Sequence, residues 1–145
     1  MKTTMLFLLS SLFSLPSFSQ DIPAAQVPPA VTKSFTSYFP NSSRLEWERK
    51  GNQYEAEFNV KRVEHKALFE SNGKLIVYKK DIPQSQLPAA VKQAIRQQYP
   101  NYRIDEVERI ARSGHVYYQV ELDGTPQDLK LVFTKDGKQE NNMAY

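Results

Sequence analysis

The sequence predicts an α+β fold, a tandem repeat in which one helix precedes three to four antiparallel strands. The two units are expected to form one joined sheet with both helices on one face. Residues 26–41, "QVPPAVTKSFTSYFPN", and residues 86–101, "QLPAAVKQAIRQQYPN", are identical at six of sixteen positions. After each segment the apolar period changes from helical to alternating. Because a unit of about 60 residues is marginal alone, we expect the two units to share one core.

Both repeated segments carry apolar residues at spacings of three and four, the stripe of an amphipathic helix. The stripes comprise Val27, Ala30, Val31, Ser34, Phe35 and Tyr38 in the first copy, and Leu87, Ala90, Val91, Ala94, Ile95 and Gln98 in the second. Pro28 and Pro88 suit the first helical turn, because a backbone N–H there has no hydrogen-bond partner within the helix. Pro40 and Pro100 end the helices because a proline disfavours helical geometry at the preceding residue.

The segments that follow each helix alternate apolar and polar residues, which indicates strands buried on one face. In the first unit these are "RLEWERK", "YEAEFNV", "VEHKALFE" and "KLIVYKK", and in the second "RIDEVERIA", "HVYYQVEL" and "QDLKLVF". Equivalent residues of the two helices are sixty positions apart in the sequence. In the strands, Tyr54 aligns with Tyr118, Phe69 with Phe133 and Gly73 with Gly137, so equivalent residues there are sixty-four positions apart. The predicted core aromatic residues are Trp47, Tyr54, Phe58, Phe69, Tyr118 and Phe133. The final "KQENNMAY" is weakly patterned and is expected to fray at the sheet edge.

The first twenty residues have the layout of a secretory signal peptide, with an early cation, a short apolar run and small residues before the end. The predicted organisation is a signal peptide at 1–20, a first unit at 21–80 and a second at 81–145, the two units forming one joint globular domain. Cleavage is expected near Ser19 or Gln20, and the protein is expected to be periplasmic or secreted without stable membrane insertion. The sequence contains no cysteine, so stability must come from an apolar core.

The charge pattern argues against a nucleic-acid partner. The formal net charge is +3, from 19 Lys and Arg against 16 Asp and Glu, and it falls to +2 once Lys2 is lost with the leader. A nucleic-acid surface gathers its cations on one face. Here Lys and Arg alternate with Glu, as in "RLEWERK", so an ordinary solvated surface is predicted.

No residue pattern predicts catalysis, a metal site or a cofactor, so the protein is not expected to be an enzyme. His65 lies on the apolar side of a predicted strand, where a satisfied, partly buried imidazole is expected, and His115 is expected to be exposed. Two histidines without cysteine do not make a zinc site. Glu55 and Glu57 lie two apart on one strand face, but nothing apolar nearby in sequence would raise one pKa for acid and base chemistry.

Two tyrosines break the pattern of buried aromatic residues. Tyr78 and Tyr117 each neighbour a core-phase residue, so both are predicted to point to the face opposite the core. Exposed tyrosine beside Gln119 and Glu121 is typical of a protein-recognition surface. Single exposed aromatic residues are also common on ordinary surfaces, so both interpretations stay open.

The ordered markers of the two units carry a family resemblance. The units open "QVPPAV" and "QLPAAV", close their helices at "YFPN" and "QYPN", and reach "FESNGK" and "FTKDGK". On these residues, over about 26–138, the chain resembles the PepSY-like family of bacterial periplasmic proteins, described as β-lactamase-inhibitor-like. The resemblance implies helices behind a curved sheet, no catalytic residues, and a sheet face that in β-lactamase inhibitor proteins grips another protein. Those inhibitors carry disulfides that are absent here, so neither β-lactamase inhibition nor any functional residue is transferred.

The leading functional hypothesis is an exported, non-catalytic module that binds an envelope protein through the helix-free sheet face. The residues predicted for that contact are Glu46, Glu48, Glu55, Glu57, Tyr117, Gln119 and Glu121. The alternative is a small-ligand carrier or envelope sensor, which predicts a pocket of several hundred cubic ångströms between helices and sheet or where the units meet. The partner and the oligomeric state stay open.

Overall fold

A computed structural model of the protein describes residues 20–141. The predicted signal peptide, except Gln20, and the last four residues of the predicted final strand lie outside the described residues. The helices are α1 (Pro29–Tyr38) and α2 (Ala89–Gln98), each preceded by a short 3₁₀ turn, Ala24–Gln26 or Gln84–Gln86. The strands are β1 (Gln20–Asp21), β2 (Ser43–Lys50), β3 (Gln53–Val60), β4 (Val63–Glu70), β5 (Leu75–Asp81), β6 (Arg103–Arg112), β7 (His115–Asp123) and β8 (Leu129–Thr134).

The eight strands form one antiparallel sheet in which their spatial order equals their order in the chain. The predicted α+β fold, one helix and its strands repeated on a joined sheet, is therefore confirmed. Beyond β8, Gln139 forms an isolated bridge with Phe133, and the Glu140 amide donates to Val132 at 2.8 Å. This bridge stands where the weakly patterned last strand was predicted.

Strand β5 belongs to both units. Its end, Asp81, precedes Ile82 and Pro83 as Asp21 precedes Ile22 and Pro23 in the first unit. Asp21 pairs with Glu48 on β2, and Asp81 pairs with Glu108 on β6, sixty residues later in both strands. The strand that closes the first unit therefore also opens the second.

Both helices lie on the same face of the sheet. Val31 and Phe35 of α1 pack with Ala67 on β4, while Val91 and Ile95 of α2 pack with Val107 on β6. The register connects these positions, because Ala67 lies opposite Tyr78, and Tyr78 lies opposite Ala111, which shares its face with Val107. We call this the helix face and the other side the open face.

The buried residues form two clusters, so the expectation of one shared core is wrong. One cluster lies under α1 and contains Phe35, Trp47, Phe58 and Phe69. The other lies under α2 and contains Ile95, Val107, Leu122 and Phe133 with the residues around them. Between the clusters, Lys80 on β5 lies opposite Arg109 on β6 on the helix face, and this charged pair interrupts the apolar surface.

The end of each helix differs from the predicted stripe. Tyr38 is 59% exposed, and the next residue, Phe39, packs against the core instead. The helix stops at Tyr38, and the backbone of Phe39 leaves helical geometry with φ −130° and ψ 60°. The second helix repeats this, because Gln98 is exposed and Tyr99 packs inward. The predicted position of Ala30 in the stripe is also wrong, because Ala30 is exposed.

Two equivalent glycines fix the strand turns against the helices. Gly73 has φ +89° and Gly137 has φ +83°. A Cβ on Gly73 would lie 2.5 Å from the Ala30 carbonyl oxygen, and one on Gly137 would lie 2.6 Å from that of Ala90. The repeated "NGK" and "DGK" motifs therefore mark places where only glycine allows the turn to approach the first turn of the helix.

Tyr78 was predicted on the opposite face and lies instead on the helix face, where it stacks on Phe39 at 5.3 Å. The register between β4 and β5 shifts by one residue between Leu68 and Phe69, since Leu68 pairs with Val77 but Phe69 pairs with Leu75. This bulge changes the phase of β5, so Val77 turns to the open face and Tyr78 turns to the core. Tyr117, opposite Ile110, does lie on the open face as predicted.

Candidate functional site

The seven predicted contact residues all lie on the open face. Glu46 pairs with Glu57 and Glu48 with Glu55 across β2 and β3. Gln119 and Glu121 on β7 lie opposite Glu108 and Glu106 on β6. Strands β4, β5 and β6 separate the two groups, and four strand spacings put about 19 Å between β3 and β7. The seven residues are therefore two separate groups on one face, and their role in binding stays a prediction.

The open face is acidic although the whole chain is basic. It carries twelve carboxylates and six cations. The carboxylates are Asp21, Glu46, Glu48, Glu55, Glu57, Glu64, Glu70, Asp81, Glu106, Glu108, Glu121 and Asp123. The cations are Lys50, Lys66, Lys79, Arg103, Arg112 and Lys130. The period of two in the strands sends alternate residues to opposite faces. The alternation of Lys and Arg with Glu that predicted a mixed solvated surface therefore separates the charges instead.

Carboxylates lie directly opposite one another at several points of this face. Glu46 faces Glu57, Glu48 faces Glu55, and Asp81 faces Glu108. Like charges directly opposite in a sheet are destabilising. The arrangement leaves negative potential that the fold itself does not require.

Lysines on the neighbouring strands compensate part of this charge. The Lys50 ammonium lies 2.6 Å from Glu55, and the Lys66 ammonium lies 3.1 Å from Glu57. Burial disfavours the charged form of Lys66, but its hydrogen bond to Glu57 and the nearby carboxylates outweigh burial and raise its pKa. At Lys79 burial dominates and lowers the pKa despite the charge of Glu108.

An apolar row crosses the middle of the open face, and sequence reasoning missed it. Ile110 is fully buried, and Val77 and Val132 are nearly so, yet they belong to neither core cluster. Neither helix nor either 3₁₀ turn lies on this face. The register places Ile110 between Lys79 and Tyr117, whose longer side chains shield it. The available signal was "LIVY" in β5, because four successive apolar residues cannot all face one side of a strand.

Gln119 is the buried polar residue of this row. It is 5% exposed, and its side-chain amide donates to the Glu108 carboxylate. Within the described residues every buried side-chain nitrogen or oxygen has a hydrogen-bond partner. Gln119 therefore holds Glu108 in place beside the apolar row rather than offering an empty binding group.

Asp81 shows the electrostatic strain of the face. Burial raises its pKa to about 6 from the ordinary 3.8, and the charges of Glu64, Glu108 and Glu106 add to the shift, while Lys66 opposes it. The position of Asp81 at the end of β5 brings it between acidic residues of β4 and β6. A cation at this place would relieve the repulsion.

On the helix face, His65 is the satisfied, partly buried imidazole that the sequence predicts. It is 8% exposed, and its Nδ1 lies 2.7 Å from the Tyr78 hydroxyl. Its ring stacks with Phe58 at 5.5 Å and with Tyr78 at 5.7 Å. Burial, with a smaller effect of Lys80, lowers its pKa. His115 is exposed at the start of β7, as predicted.

A groove of about 720 Å³ lies in the second unit, between the end of α2 and the start of β6. Its lining includes Lys92, Arg96, Tyr102 and Arg103. The volume is of the predicted size, but the groove opens at the end of the sheet within one unit, not where the two units meet. Within residues 20–141, no group of three or more acidic or histidine side chains is arranged to hold a metal ion. In the same range, no helix is both long and apolar enough to cross a membrane.

Comparison with known proteins adds a family and a fold. A family model described as "Putative beta-lactamase-inhibitor-like, PepSY-like" matches the chain twice, over residues 17–77 and 63–140. The two matches overlap in β4 and the start of β5, the junction between the units. No curated protein matches the chain.

Solved structures from Bacteroides species share the fold. A DUF2874 family protein of Bacteroides uniformis is 18% identical with a TM-score of 0.71, covering 77% of this chain and 85% of its own. A protein of Bacteroides eggerthii described as a "putative periplasmic" protein is 15% identical, with a TM-score of 0.72 and coverage of 78% and 85%. A BLIP-like protein of Bacteroides fragilis is 22% identical, with a TM-score of 0.65 and coverage of 77% and 82%.

Proposed function

The chain belongs to the PepSY-like, beta-lactamase-inhibitor-like family, and on that premise we propose that it is an exported, non-catalytic module that binds an envelope protein through its open face. The family and the fold support an inhibitor-like binding module as the general class. Export is supported by the signal-like leader and by the description of the Bacteroides eggerthii relative. A face built from eight paired strands offers the area that a protein partner needs.

One observation carries the proposal. The open face carries two groups of carboxylates, and Tyr117 lies on the same face with its ring partly exposed. Protein interfaces combine aromatic side chains with a polar rim in this way. Tyr117 lies next to Ile110 and supplies the residue type that is enriched at such contacts.

The test uses the absence of cysteine from the chain, which lets one thiol be placed at one chosen position. Tyr117→Cys and Glu57→Cys place a photoactivatable thiol-linked crosslinker on the open face, and Ser37→Cys places it on the exposed side of α1 as the matched control. With envelope extract we expect the same adduct from both open-face positions and none from Ser37. Adducts from Ser37 alone, or equal adducts from all three positions, would contradict the proposal.

Charge reversal provides a second readout on the same face. Glu55→Lys with Glu57→Lys is expected to weaken capture of the crosslinked partner at least tenfold, because both carboxylates lie on the open face beside Lys50 and Lys66. If capture is unchanged by this pair of substitutions and by Tyr117→Ala, the open face is not the binding surface. The folded state of each variant is checked by its far-UV circular dichroism spectrum.

The alternative, a small-ligand carrier or envelope sensor, draws support from the groove in the second unit. Its volume of about 720 Å³ falls in the range of small-molecule sites, and Lys92, Arg96 and Arg103 would suit an anionic ligand. A panel of small carboxylates, tested for a rise in melting temperature that Arg96→Ala removes, distinguishes this function. No rise with any member of the panel would count against it.

A further inference from the structure

The two units carry the same acidic constellation on the open face. We define the first quartet as Asp21, Glu46, Glu48 and Glu57, and the second quartet as Asp81, Glu106, Glu108 and Glu121. Three members recur at an offset of sixty and the fourth at sixty-four, as the core residues do. The pairing is also the same in both units. Asp21 faces Glu48 and Glu46 faces Glu57, and likewise Asp81 faces Glu108 and Glu106 faces Glu121.

Each quartet has one equivalent lysine that pairs with its last glutamate. The Lys66 ammonium lies 3.1 Å from Glu57, and the Lys130 ammonium lies 2.5 Å from Glu121. Lys66 and Lys130 are themselves related by the offset of sixty-four. Lys50 also lies 3.7 Å from Glu48 in the first quartet, and Lys79 interacts electrostatically with Glu108 in the second. The four carboxylates of each quartet still outnumber these lysines, which leaves an excess of negative charge.

Neighbouring positions on the same face differ between the units. Glu55 corresponds to Gln119, Lys50 corresponds to Ile110, and Gln53 corresponds to Tyr117. The quartets therefore repeat while the positions next to them have changed. Because their carboxylates face each other at a cost to stability, the fold gives no reason to keep them, and such local conflicts mark functional positions.

Asp81 lies among the carboxylates of the second quartet, directly opposite Glu108. Burial is the main cause of its raised pKa, and the negative charges of Glu64, Glu108 and Glu106 raise it further. A lysine or arginine brought by a partner would lie among these carboxylates and supply charge-assisted hydrogen bonds.

The centre of the face sets the shape of the partner. The quartet centres lie on β2 and β6, about 19 Å apart across the sheet, and the registers displace them by about 14 Å along the strands, so the centres are about 24 Å apart. Lys66 and Lys79 lie between the quartets, directly opposite each other. These two lysines repel a continuous run of positive charge laid across the middle of the face.

We infer that the protein partner presents two separate clusters of Lys or Arg side chains, with centres about 24 Å apart, and that one cluster binds each acidic quartet. This inference rests on the proposed function and names the chemistry of the partner.

The test uses two peptides of identical composition and the chain from residue 20 to residue 145. The split probe is Lys-Arg-Lys-Pro-Pro-Pro-Pro-Pro-Lys-Arg-Lys, in which the rise of about 3.1 Å per residue places the block centres about eight residues and about 25 Å apart. The continuous probe is Lys-Arg-Lys-Lys-Arg-Lys-Pro-Pro-Pro-Pro-Pro. By fluorescence anisotropy at low salt we expect the split probe to bind at least about tenfold tighter, because both blocks engage together.

Variants of each quartet assign the two blocks. Glu46→Gln with Glu48→Gln, and Glu106→Gln with Glu108→Gln, are each expected to reduce the affinity of the split probe to that of the continuous probe. The four changes together are expected to abolish binding. Asp128→Asn with Asp136→Asn removes the same charge from exposed loops off the face and is expected to change the affinity by less than about twofold.

Equal affinity for the two probes, or equal loss from the loop control and the quartet variants, would overturn the inference. The crosslinking result separates this failure from failure of the proposed function. If Tyr117→Cys and Glu57→Cys still capture a protein that Ser37→Cys does not, the open face remains the binding surface and only the two-cluster partner is lost.

Discussion

The core under α1 is aromatic, and the core under α2, at equivalent backbone positions, is largely aliphatic. Where the first unit has Phe35, the second has Ile95, and Trp47 corresponds to Val107. Phe35 contacts three other rings of its cluster within 6.5 Å, at Trp47, Phe58 and Phe69. The same helix and strands thus enclose two different sets of side chains.

The difference in ring content is balanced across neighbouring strands. Trp47 on β2 lies opposite Ala56, whereas the equivalent pair in the second unit is Val107 opposite Val120. A large residue facing a small one fills the same space as two of intermediate size. Cores tolerate such exchanges when the total volume is kept, and the two units show this within one chain.

The largest expected effect comes from breaking this balance. Trp47→Val should lower the free energy of unfolding by about 3–4 kcal/mol, because it leaves a cavity beside Ala56. Adding Ala56→Val, which rebuilds the pair of the second unit, should recover at least about 1 kcal/mol. Urea unfolding of both single variants and the double variant measures the coupling. If the changes in the free energy of unfolding of the two single variants simply add in the double variant, Trp47 and Ala56 do not compensate each other's volume.

Alanine at the turn glycines should cost about 2–3 kcal/mol and equally in both units, because Gly73 and Gly137 meet equivalent helix carbonyls. Gly51→Ala is the matched control, since Gly51 has φ +61° but no atom within 4 Å of an added Cβ. It should cost only about 1 kcal/mol from backbone strain. Chemical denaturation compares the three variants, and a cost at Gly51 equal to that at Gly73 would remove the steric argument.

His65 distinguishes the cores by pH, because its equivalent in the second unit is Leu129. The folded state lowers the pKa of His65, so the unfolded state takes up the proton first as the pH falls. Its contribution to stability is therefore complete above about pH 6.5 and is lost as the pH falls through the folded pKa. His65→Leu should flatten the decline in stability between pH 7.5 and 5, measured by urea midpoints.

The control for this experiment is His115→Gln, which removes an exposed imidazole at the start of β7. Asp81→Asn tests a group of opposite sign. Burial and the neighbouring carboxylates destabilise the charged form of Asp81 and raise its pKa to about 6, so its contribution to stability falls as the pH rises towards about 6. An unchanged slope in His65→Leu would exclude the buried imidazole as the titrating group.

The smallest effect is expected at the hairpin between β3 and β4. Lys61 and Arg62 both have positive φ, 50° and 69°, which suits Asn-Gly in a two-residue turn. Lys61→Asn with Arg62→Gly should raise the free energy of unfolding by about 0.5–1 kcal/mol. The second unit has a longer loop, 124–128, at this place, so the gain belongs to the first unit alone. Thermal unfolding measures this gain in stability. A loss of stability in the double variant would show that the positive φ angles of Lys61 and Arg62 are not strained.

The parts of the fold that sequence reasoning predicted are those that depend on local periodicity. The helices and strands followed from spacings of three and four and of two, and His65 was placed correctly by its phase in "VEHKALFE". Gly73 and Gly137 were visible as a repeated motif, but the helix carbonyls behind them were not.

The remaining features depend on registers between strands. One bulge beside Leu68 reverses the face of Val77 and Tyr78, and no pattern within β5 alone reveals it. The seven predicted contact residues were placed on the helix-free face, where they lie. Val77 and Ile110 were missed, since their burial comes from neighbouring strands. The separation of charge also emerged only when the strands were aligned.

The identity of spatial and chain order in the sheet bears on how the protein folds. The amino terminus is synthesised first, and every later strand finds the edge it needs already in place. Parallel sheets, in contrast, must wait for distant segments. When strands are added in chain order, the first unit is complete once β5 has emerged.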